Sequence, residues 1–191
     1  MNDFENVSTD ISGYVTMIMH TGKYNFDTDE IEGGEQVARR DLKNLIVNRS
    51  SALLSSAVLP KNNIAITHLA VGVGNEDGLM PIEDIRYNKL IKEVRRVKID
   101  RYGLINSEGK NASLDFPDEV CGAVLKASLN LSNSDNGKEL VEMGLFGGPG
   151  ADQPNSGLMF NYKSFSNWTI PEDVTLSVIW RLYFGQKKIN N

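Results

Sequence analysis

Residues 175–184 alternate between the two faces of a strand almost without a fault. Five large apolar side chains share one face: Leu176, Val178, Trp180, Leu182 and Phe184. The opposite face carries Thr175, Ser177, Ile179, Arg181 and Tyr183. Because successive side chains of a β-strand point to opposite faces, this pattern predicts a half-buried antiparallel strand.

Similar runs, separated by turn residues, occur along residues 64–184. Residues 64–73, 121–131, 141–147 and 157–163 are rich in apolar side chains, and Gly, Asn and Pro clusters lie between them. Several strands joined by such turns favour an all-β fold. The sequence predicts a mainly β protein, an antiparallel β-sandwich, whose buried side chains include Leu125, Leu129, Leu145, Phe160, Trp180 and Leu182.

One long helix is predicted before these strands, from Glu35 to Leu59. Ala38, Leu42 and Leu53 lie among apolar residues at helical spacing. Pro60 ends the pattern, because proline cannot continue a helix. We therefore expect one long N-terminal helix packed against the sandwich.

The first 34 residues differ in composition from the rest of the chain. They are polar, with an acidic cluster that begins at Asp27, and their one compact apolar strip is Val15 to Met19. The sequence predicts two parts: an extended N-terminal arm (1–34) and a helix plus β-sandwich domain (35–191). The arm and the loop 76–88 are either contact segments that become ordered on a neighbour or a flexible tail and a mobile loop.

The net charge, the single cysteine and the lack of a long apolar run argue against a nucleic-acid partner, an intramolecular disulfide and a membrane partner, respectively. The net charge is −5, which disfavours nucleic acid as a partner because phosphate binding needs clustered cations. The basic stretch 89–101 is interpreted as a solvated or partner-facing strand. The single cysteine, Cys121, cannot form an intramolecular disulfide. No signal peptide and no apolar run of about 18 residues is visible, so we expect a cytoplasmic chain without a membrane partner.

Two short motifs resemble ligand-binding loops but lack required residues. Gly72-x-Gly74 follows a predicted strand as a dinucleotide-binding turn does, yet no helix opens after it. Asp27-x-Asp29 resembles the start of a calcium loop, but Glu32 and Ala38 stand where that loop needs glycine and a bidentate acid. We therefore expect no cofactor and no metal.

Side chains that could carry catalysis are few. His20 and His68 have no cysteine or acid at ligand spacing. Cys121 lies in an apolar run, where a thiol is a poor nucleophile. A general acid–base pair of Glu139 and Glu142 stays open from the sequence alone. The sequence assigns no catalytic residue, and the protein is expected not to be an enzyme.

The order of these segments resembles a known group of proteins. Residues 42–48 precede Ile66-Thr67-His68-Leu69-Ala70-Val71-Gly72-Val73-Gly74, and then come Glu142-Met143-Gly144-Leu145-Phe146 and Gly157-Leu158-Met159-Phe160. This order, over residues 41–184, is similar to the N-terminal attachment domains of bacteriophage tail-collar and tail-fibre proteins. Modules of phage-tail-like contractile injection systems share it.

The resemblance implies a non-enzymatic structural component of a virion or injection particle. The part would be tail, baseplate, fibre attachment or neck, and the chain would act as an adaptor. Expected partners are copies of itself in a ring or trimer and other tail, baseplate or neck proteins, and the expected location is the virion, assembled in the host cytoplasm. The alternative is a carbohydrate-binding or hydrolytic β-sandwich module, for which Asn167-Trp168 beside Tyr162 is the candidate sugar-binding cluster.

Overall fold

The computed structural model describes residues 11–57, 59, 64–75, 79–130 and 137–184. Within these residues the protein is mainly β, with antiparallel sheets and one short helix, α1 (Ser50–Ala57). A single turn of 3-10 helix covers Pro117–Glu119. The strands are β1 Ile11–His20, β2 Lys23–Asn25, β3 Glu30–Glu32, β4 Gln36–Lys43, β5 Leu45–Ile46, β6 Ile66–Gly72, β7 Glu93–Lys98, β8 Arg101–Ile105, β9 Asn111–Ala112, β10 Gly122–Asn130, β11 Glu139–Gly147, β12 Leu158–Thr169 and β13 Thr175–Phe184.

The strands form two large sheets and a small hairpin. The first sheet has the order β4-β1-β13-β10-β8-β9, and the second has the order β5-β12-β11-β6-β7. Strands β2 and β3 pair with each other in a two-stranded sheet. Every pair in the large sheets is antiparallel.

Strand β13 confirms the alternation predicted for residues 175–184. It lies between β1 and β10 in the first sheet. Leu176, Val178, Trp180 and Leu182 enter the main core, whereas Ile179 on the other face packs in a second cluster beneath the hairpin β2–β3. The strand is therefore buried on both faces over most of its length, so the prediction that it is half-buried is wrong. The hairpin β2–β3 covers the outer face, and this contact is distant in sequence.

Both large sheets contribute to one hydrophobic core. Val15 and Trp180 come from the first sheet, and Leu69, Leu145 and Phe160 come from the second. The six side chains that the sequence predicts to be buried are buried: Leu125, Leu129, Leu145, Phe160, Trp180 and Leu182. Burial of apolar area at this shared core is the main stabilising contribution to the fold.

The predicted long helix from Glu35 to Leu59 is wrong. Residues 36–43 form β4, and the helix is limited to the eight residues of α1. Ala38 and Leu42 fit both a helical and an alternating pattern, and pairing with β1 selects the strand. Tertiary contacts override local helix propensity here, as they commonly do. Pro60 to Asn63, where the helix was predicted to end, lie outside the described residues.

Residues 11–34 do not form the extended arm that the sequence predicts. Strand β1 lies inside the first sheet, between β4 and β13. Val15 and Met17 are fully buried in the main core, although Val15 to Met19 was the only apolar strip of the predicted arm. This strip gains its partners from β13, far along the chain, so no local pattern reveals them. Residues 1–10 lie outside the described residues.

The chain crosses from the second sheet to the first at Ile99 and Asp100. The backbone N–H of Ile99 donates to the Thr67 carbonyl of the second sheet (2.9 Å), and that of Asp100 donates to the Lys126 carbonyl of the first (2.8 Å). The basic stretch 89–101, which was interpreted as one strand, thus contributes to two strands in different sheets, β7 and β8. The crossing brings Asp100 to the outer face of the first sheet.

Candidate functional site

A glutamate in the middle of β11 holds a loop onto the second sheet. Glu142 is completely buried. Its Oε1 accepts the backbone N–H groups of Lys92 (2.9 Å) and Gly74 (3.3 Å), and its Oε2 accepts that of Ile91 (3.0 Å). A buried carboxylate is tolerated only with such partners. The segment that it fixes, residues 79–92, is called the anchored loop below.

Tyr162 completes this group of hydrogen bonds. Its hydroxyl donates to Oε2 of Glu142 at 2.9 Å. Burial of the ring, together with the negative charge of Glu142, raises the pKa of Tyr162 well above its usual range. The phenol therefore stays protonated and remains a donor. The ring also packs edge-on against Tyr87 of the anchored loop.

The two glycines of Gly72-x-Gly74 give this group its space. Gly72 is paired with Glu142 across the strands, and a Cβ on Gly72 would lie 2.5 Å from Oε1 of Glu142. Gly74 has φ +65°, and a Cβ there would lie 2.6 Å from Cγ2 of Val141. Both positions need glycine to admit the carboxylate and the loop. The need to fit the Glu142 carboxylate and the loop therefore explains Gly72-x-Gly74 without a bound phosphate.

A second carboxylate holds the middle of the anchored loop. Glu83 accepts a hydrogen bond from Nζ of Lys163 (2.6 Å) and another from the backbone N–H of Ser164 (3.1 Å), both on β12. The Ile85 carbonyl accepts the N–H of Asn48, at 2.8 Å. The loop is therefore fixed at its centre as well as at its end.

Despite these anchors, the loop presents large apolar side chains to solvent. Ile82 is 87% exposed, Leu79 65%, Met80 55% and Ile85 50%. Contiguous exposed apolar residues on a soluble protein mark contact sites for other molecules. Since hydrogen bonds hold the backbone in place, these apolar side chains form an ordered exposed surface.

A buried ion pair fixes the neighbouring loop between β11 and β12. Arg96 and Glu93 are joined at 2.7 Å with both side chains nearly inaccessible. Nη1 of Arg96 donates to the carbonyls of Ala151 (2.7 Å) and Ser156 (2.9 Å), and the guanidinium lies 4.0 Å from the ring centre of Phe146. The pair and its hydrogen bonds therefore hold this loop against the sheet.

A chain of hydroxyl groups leads to His20 on the outer face of the first sheet. Nε2 of His20 lies 2.9 Å from Oγ of Ser177, which lies 2.9 Å from Oγ of Ser128. Nδ1 of His20 lies 3.2 Å from the carbonyl of Thr21. A carbonyl can only accept, so Nδ1 carries the proton and Nε2 accepts from Ser177. The hydroxyl of Ser128 then donates to Ser177.

This chain ends at an open cavity of about 510 Å³ beneath the hairpin β2–β3, with a lining of mixed polar and apolar groups. Ser128 lines the cavity, and the backbone N–H of Ser128 is fixed by a carboxylate oxygen of Asp100 at 2.8 Å. Side chains of both charges surround it: Lys23, Asp27, Asp100 and Arg101. The volume falls within the range of about 300–1,000 Å³ that is typical of small-ligand sites.

The structure does not bring together the acid–base pair or open the sugar-binding cluster that the sequence analysis considered. Glu139 is exposed, and its carboxylate accepts a hydrogen bond from the side-chain amide of Asn167 (3.0 Å), whereas Glu142 is buried. Tyr162 is buried, and the guanidinium of Arg40 covers the ring of Trp168 at 4.7 Å. The Asn167-Trp168 cluster therefore has no open aromatic face on that side for a sugar.

The remaining candidates are also accounted for by local contacts. Nδ1 of His68 contacts the hydroxyl of Thr67 at 2.8 Å, and burial together with the nearby Arg96 lowers the pKa of His68. Cys121 is half-buried, with its Sγ 3.6 Å from the Glu119 carbonyl. Across the described ranges, no group of three or more His, Cys, Asp or Glu side chains could hold a metal ion.

Two features of the sequence could have indicated the buried hydrogen-bonding roles of Glu142 and Ser177, which the sequence analysis missed. Glu142 is a single acid between Val141 and Met143 within an apolar strand. Ser177 is a small hydroxyl on a strand whose same-face neighbour Ile179 is apolar. A polar residue inside an apolar run indicates a hydrogen-bonded buried group.

Comparisons with known proteins return no relative: no family model matches the chain, and no curated protein or solved structure matches it significantly. In the part of the chain that the structure describes, no helix is long and apolar enough to cross a membrane. The resemblance to phage tail-attachment domains therefore stays a prediction based on the segments quoted above.

Proposed function

We propose that this protein is a non-enzymatic structural component of a phage tail, baseplate, neck or fibre attachment, or of a related injection particle. It acts as an adaptor through protein–protein contacts. We also infer that the two large sheets form a β-sandwich, because both contribute to one core. The anchored loop is the observation that supports this function best.

The anchored loop has the properties of a prepared contact surface. Association normally costs free energy to order the interface, and a loop fixed in advance avoids part of that cost. Glu142 and Glu83 hold the loop backbone, while Ile82 points its apolar side chain to solvent. A loop fixed only for stability would gain more by burying this isoleucine.

Ring assembly needs two different surfaces on each copy. The second candidate surface is an open apolar groove of about 470 Å³ between α1 and the ends of the sheets, lined by side chains that include Leu53, Ile64, Leu104, Leu182 and Phe184. None of its lining residues belongs to the anchored loop. One copy can therefore offer both surfaces at once, as a ring of copies requires.

Incorporation into particles tests this function. In Ile82→Asp the anchored loop keeps its anchors but loses its most exposed apolar side chain. We expect the free energy of unfolding to change by no more than about 0.5 kcal/mol, while incorporation, measured by mass spectrometry of purified particles, falls at least tenfold. Leu114→Asp is the matched control, because Leu114 is 72% exposed on a different loop, and it should be incorporated normally.

Two results would count against the proposal. Purified particles that contain none of the wild-type protein would exclude the structural role itself. Normal incorporation of both variants would retain the role and exclude the anchored loop as its contact surface.

A further inference from the structure

We propose that the open cavity beneath the hairpin β2–β3 binds a small zwitterion of the amino-acid class, a molecule with one ammonium and one carboxylate group. None of the residues that line this cavity belongs to the anchored loop or to the apolar groove. The binding site is therefore independent of the surfaces proposed above for assembly, and binding involves no chemical reaction.

Charged side chains of both signs line the cavity without neutralising one another. Two are acids, Asp27 and Asp100, and two are cations, Lys23 and Arg101. Among the described residues, none of these four side chains takes part in an ion pair. The cavity can therefore offer hydrogen-bond acceptors to a positive group and donors to a negative group of the same ligand.

The hydrogen-bond chain from His20 determines what Ser128 can offer a ligand. Because Nδ1 of His20 donates to the Thr21 carbonyl, Nε2 accepts the one hydroxyl proton of Ser177. Ser177 in turn accepts the one hydroxyl proton of Ser128. Ser128 is half-buried and lines the cavity, so its oxygen lone pairs are left for a donor on the ligand.

Ser128 and Asp100 together form the site for the ammonium group. A carboxylate oxygen of Asp100 accepts the backbone N–H of Ser128 at 2.8 Å, which places the carboxylate close to the Ser128 hydroxyl. Both side chains can only accept a further hydrogen bond, and one of them is negatively charged. The pair therefore favours a cationic N–H donor over a neutral hydroxyl.

The other lining groups suit the rest of the ligand. Lys23 and Arg101 supply N–H donors for a carboxylate. The rings of Tyr24 and Phe26, which also line the cavity, pack edge-to-face with their centres 5.3 Å apart. They provide an apolar wall for the uncharged part of the ligand. A neutral sugar would leave all four charges uncompensated, so the lining favours a zwitterion over a sugar.

Isothermal titration calorimetry of the full chain with each standard amino acid in turn tests the proposal. We expect at least one amino acid to bind saturably, with one molecule per chain. Two analogues of that amino acid isolate its charges: the carboxamide lacks the carboxylate, and the N-acetyl derivative lacks the ammonium. Each should bind at least about tenfold more weakly, because each loses a charge-assisted hydrogen bond.

Variants assign the two ends of the ligand. Asp100→Asn keeps an oxygen for the Ser128 N–H but removes the charge, and it should weaken binding of the amino acid about tenfold while leaving the N-acetyl derivative unaffected. Arg101→Gln should weaken binding of the amino acid and leave the carboxamide unaffected. Arg95→Gln is the matched control at an exposed cation of β7 in the second sheet, and it should bind like the wild type. Circular dichroism monitors the folding of each variant.

Three results would overturn the proposal. The first is that no standard amino acid binds the folded wild-type protein saturably. The second is an N-acetyl derivative or a carboxamide that binds as tightly as its parent amino acid. The third is saturable binding of a neutral monosaccharide such as glucose without binding of any amino acid, which would assign the cavity to a sugar.

Discussion

The carboxylate of Glu142 lies directly against Gly72, its partner across β6 and β11. A methyl group on Gly72 would lie 2.5 Å from Oε1 of Glu142 and 2.6 Å from the carbonyl oxygen of Lys92. Lys92 ends the anchored loop, and its N–H donates to the same Oε1. Glycine at position 72 thus lets strand, carboxylate and loop approach one another.

Glu142→Gln should destabilise the protein by at least about 2 kcal/mol, because an amide cannot accept all the N–H and O–H donors and leaves one or more buried and unpaired. Urea unfolding measures the change. Glu139→Gln is the matched control on the same strand, and its exposed side chain should change the free energy of unfolding by less than about 0.5 kcal/mol. Equal effects of both variants would mean that the buried hydrogen bonds of Glu142 contribute nothing.

Tyr162 should make the fold sensitive to alkali. Its pKa is raised in the folded protein by burial and by Glu142, so its contribution is fully present below about pH 10 and is lost as the pH rises further. The loss is about 1.4 kcal/mol per pH unit. Tyr162→Phe should remove this dependence, as measured by urea unfolding at a series of alkaline pH values.

Tyr102→Phe serves as the comparison, since the side chain of Tyr102 is 59% exposed and should affect the alkaline slope less. An unchanged slope in Tyr162→Phe would show that other groups cause the alkaline loss.

Arg96→Met should cost about 3–5 kcal/mol, because it leaves the buried carboxylate of Glu93 without its partner. It also removes the donors to the carbonyls of Ala151 and Ser156. We expect faster proteolysis in the loop between β11 and β12 and a lower unfolding midpoint. Arg95→Met, at the exposed neighbouring position, should change neither; if both variants behave alike, the ion pair is not what fixes the loop.

Strand β1 should be essential for folding. Met17 is completely buried in the main core, and Met17→Ala should cost about 2–5 kcal/mol. Val37→Ala is the control, since Val37 is 50% exposed. A deletion of residues 1–34 removes the whole strand and should abolish cooperative thermal unfolding. A truncated protein that still unfolds cooperatively would show that the first sheet forms without β1.

The parts of the fold that sequence predicts are those with an unambiguous period. The alternation around Trp180 leaves no helical alternative, so strand β13 and its buried face are predicted correctly. Around Ala38 and Leu42 the apolar spacing fits a helix and a strand equally, and the contact with β1 that decides between them is distant in sequence.

The hydrogen bonds at the candidate sites could not be predicted from the sequence, for a related reason. Two of the donors to Glu142 are backbone N–H groups 50 positions away at Lys92 and 51 positions away at Ile91. Backbone groups have no residue signature, so only the fold can reveal that they converge. The contact of His20 with Ser177 likewise joins two strands whose local patterns indicate nothing about each other.

The pairing of β1 with β13 has a consequence for how the chain is made. His20 and Ser177 are 157 positions apart, and a ribosome that adds about 5–20 residues per second needs roughly 8–30 seconds to synthesise that interval. During this time Val15 and Met17 have emerged without the strand that covers one side of β1. The first sheet is therefore completed late, and contacts of such long range make folding slow. A chaperone that shields β1 during translation would raise the yield of folded protein.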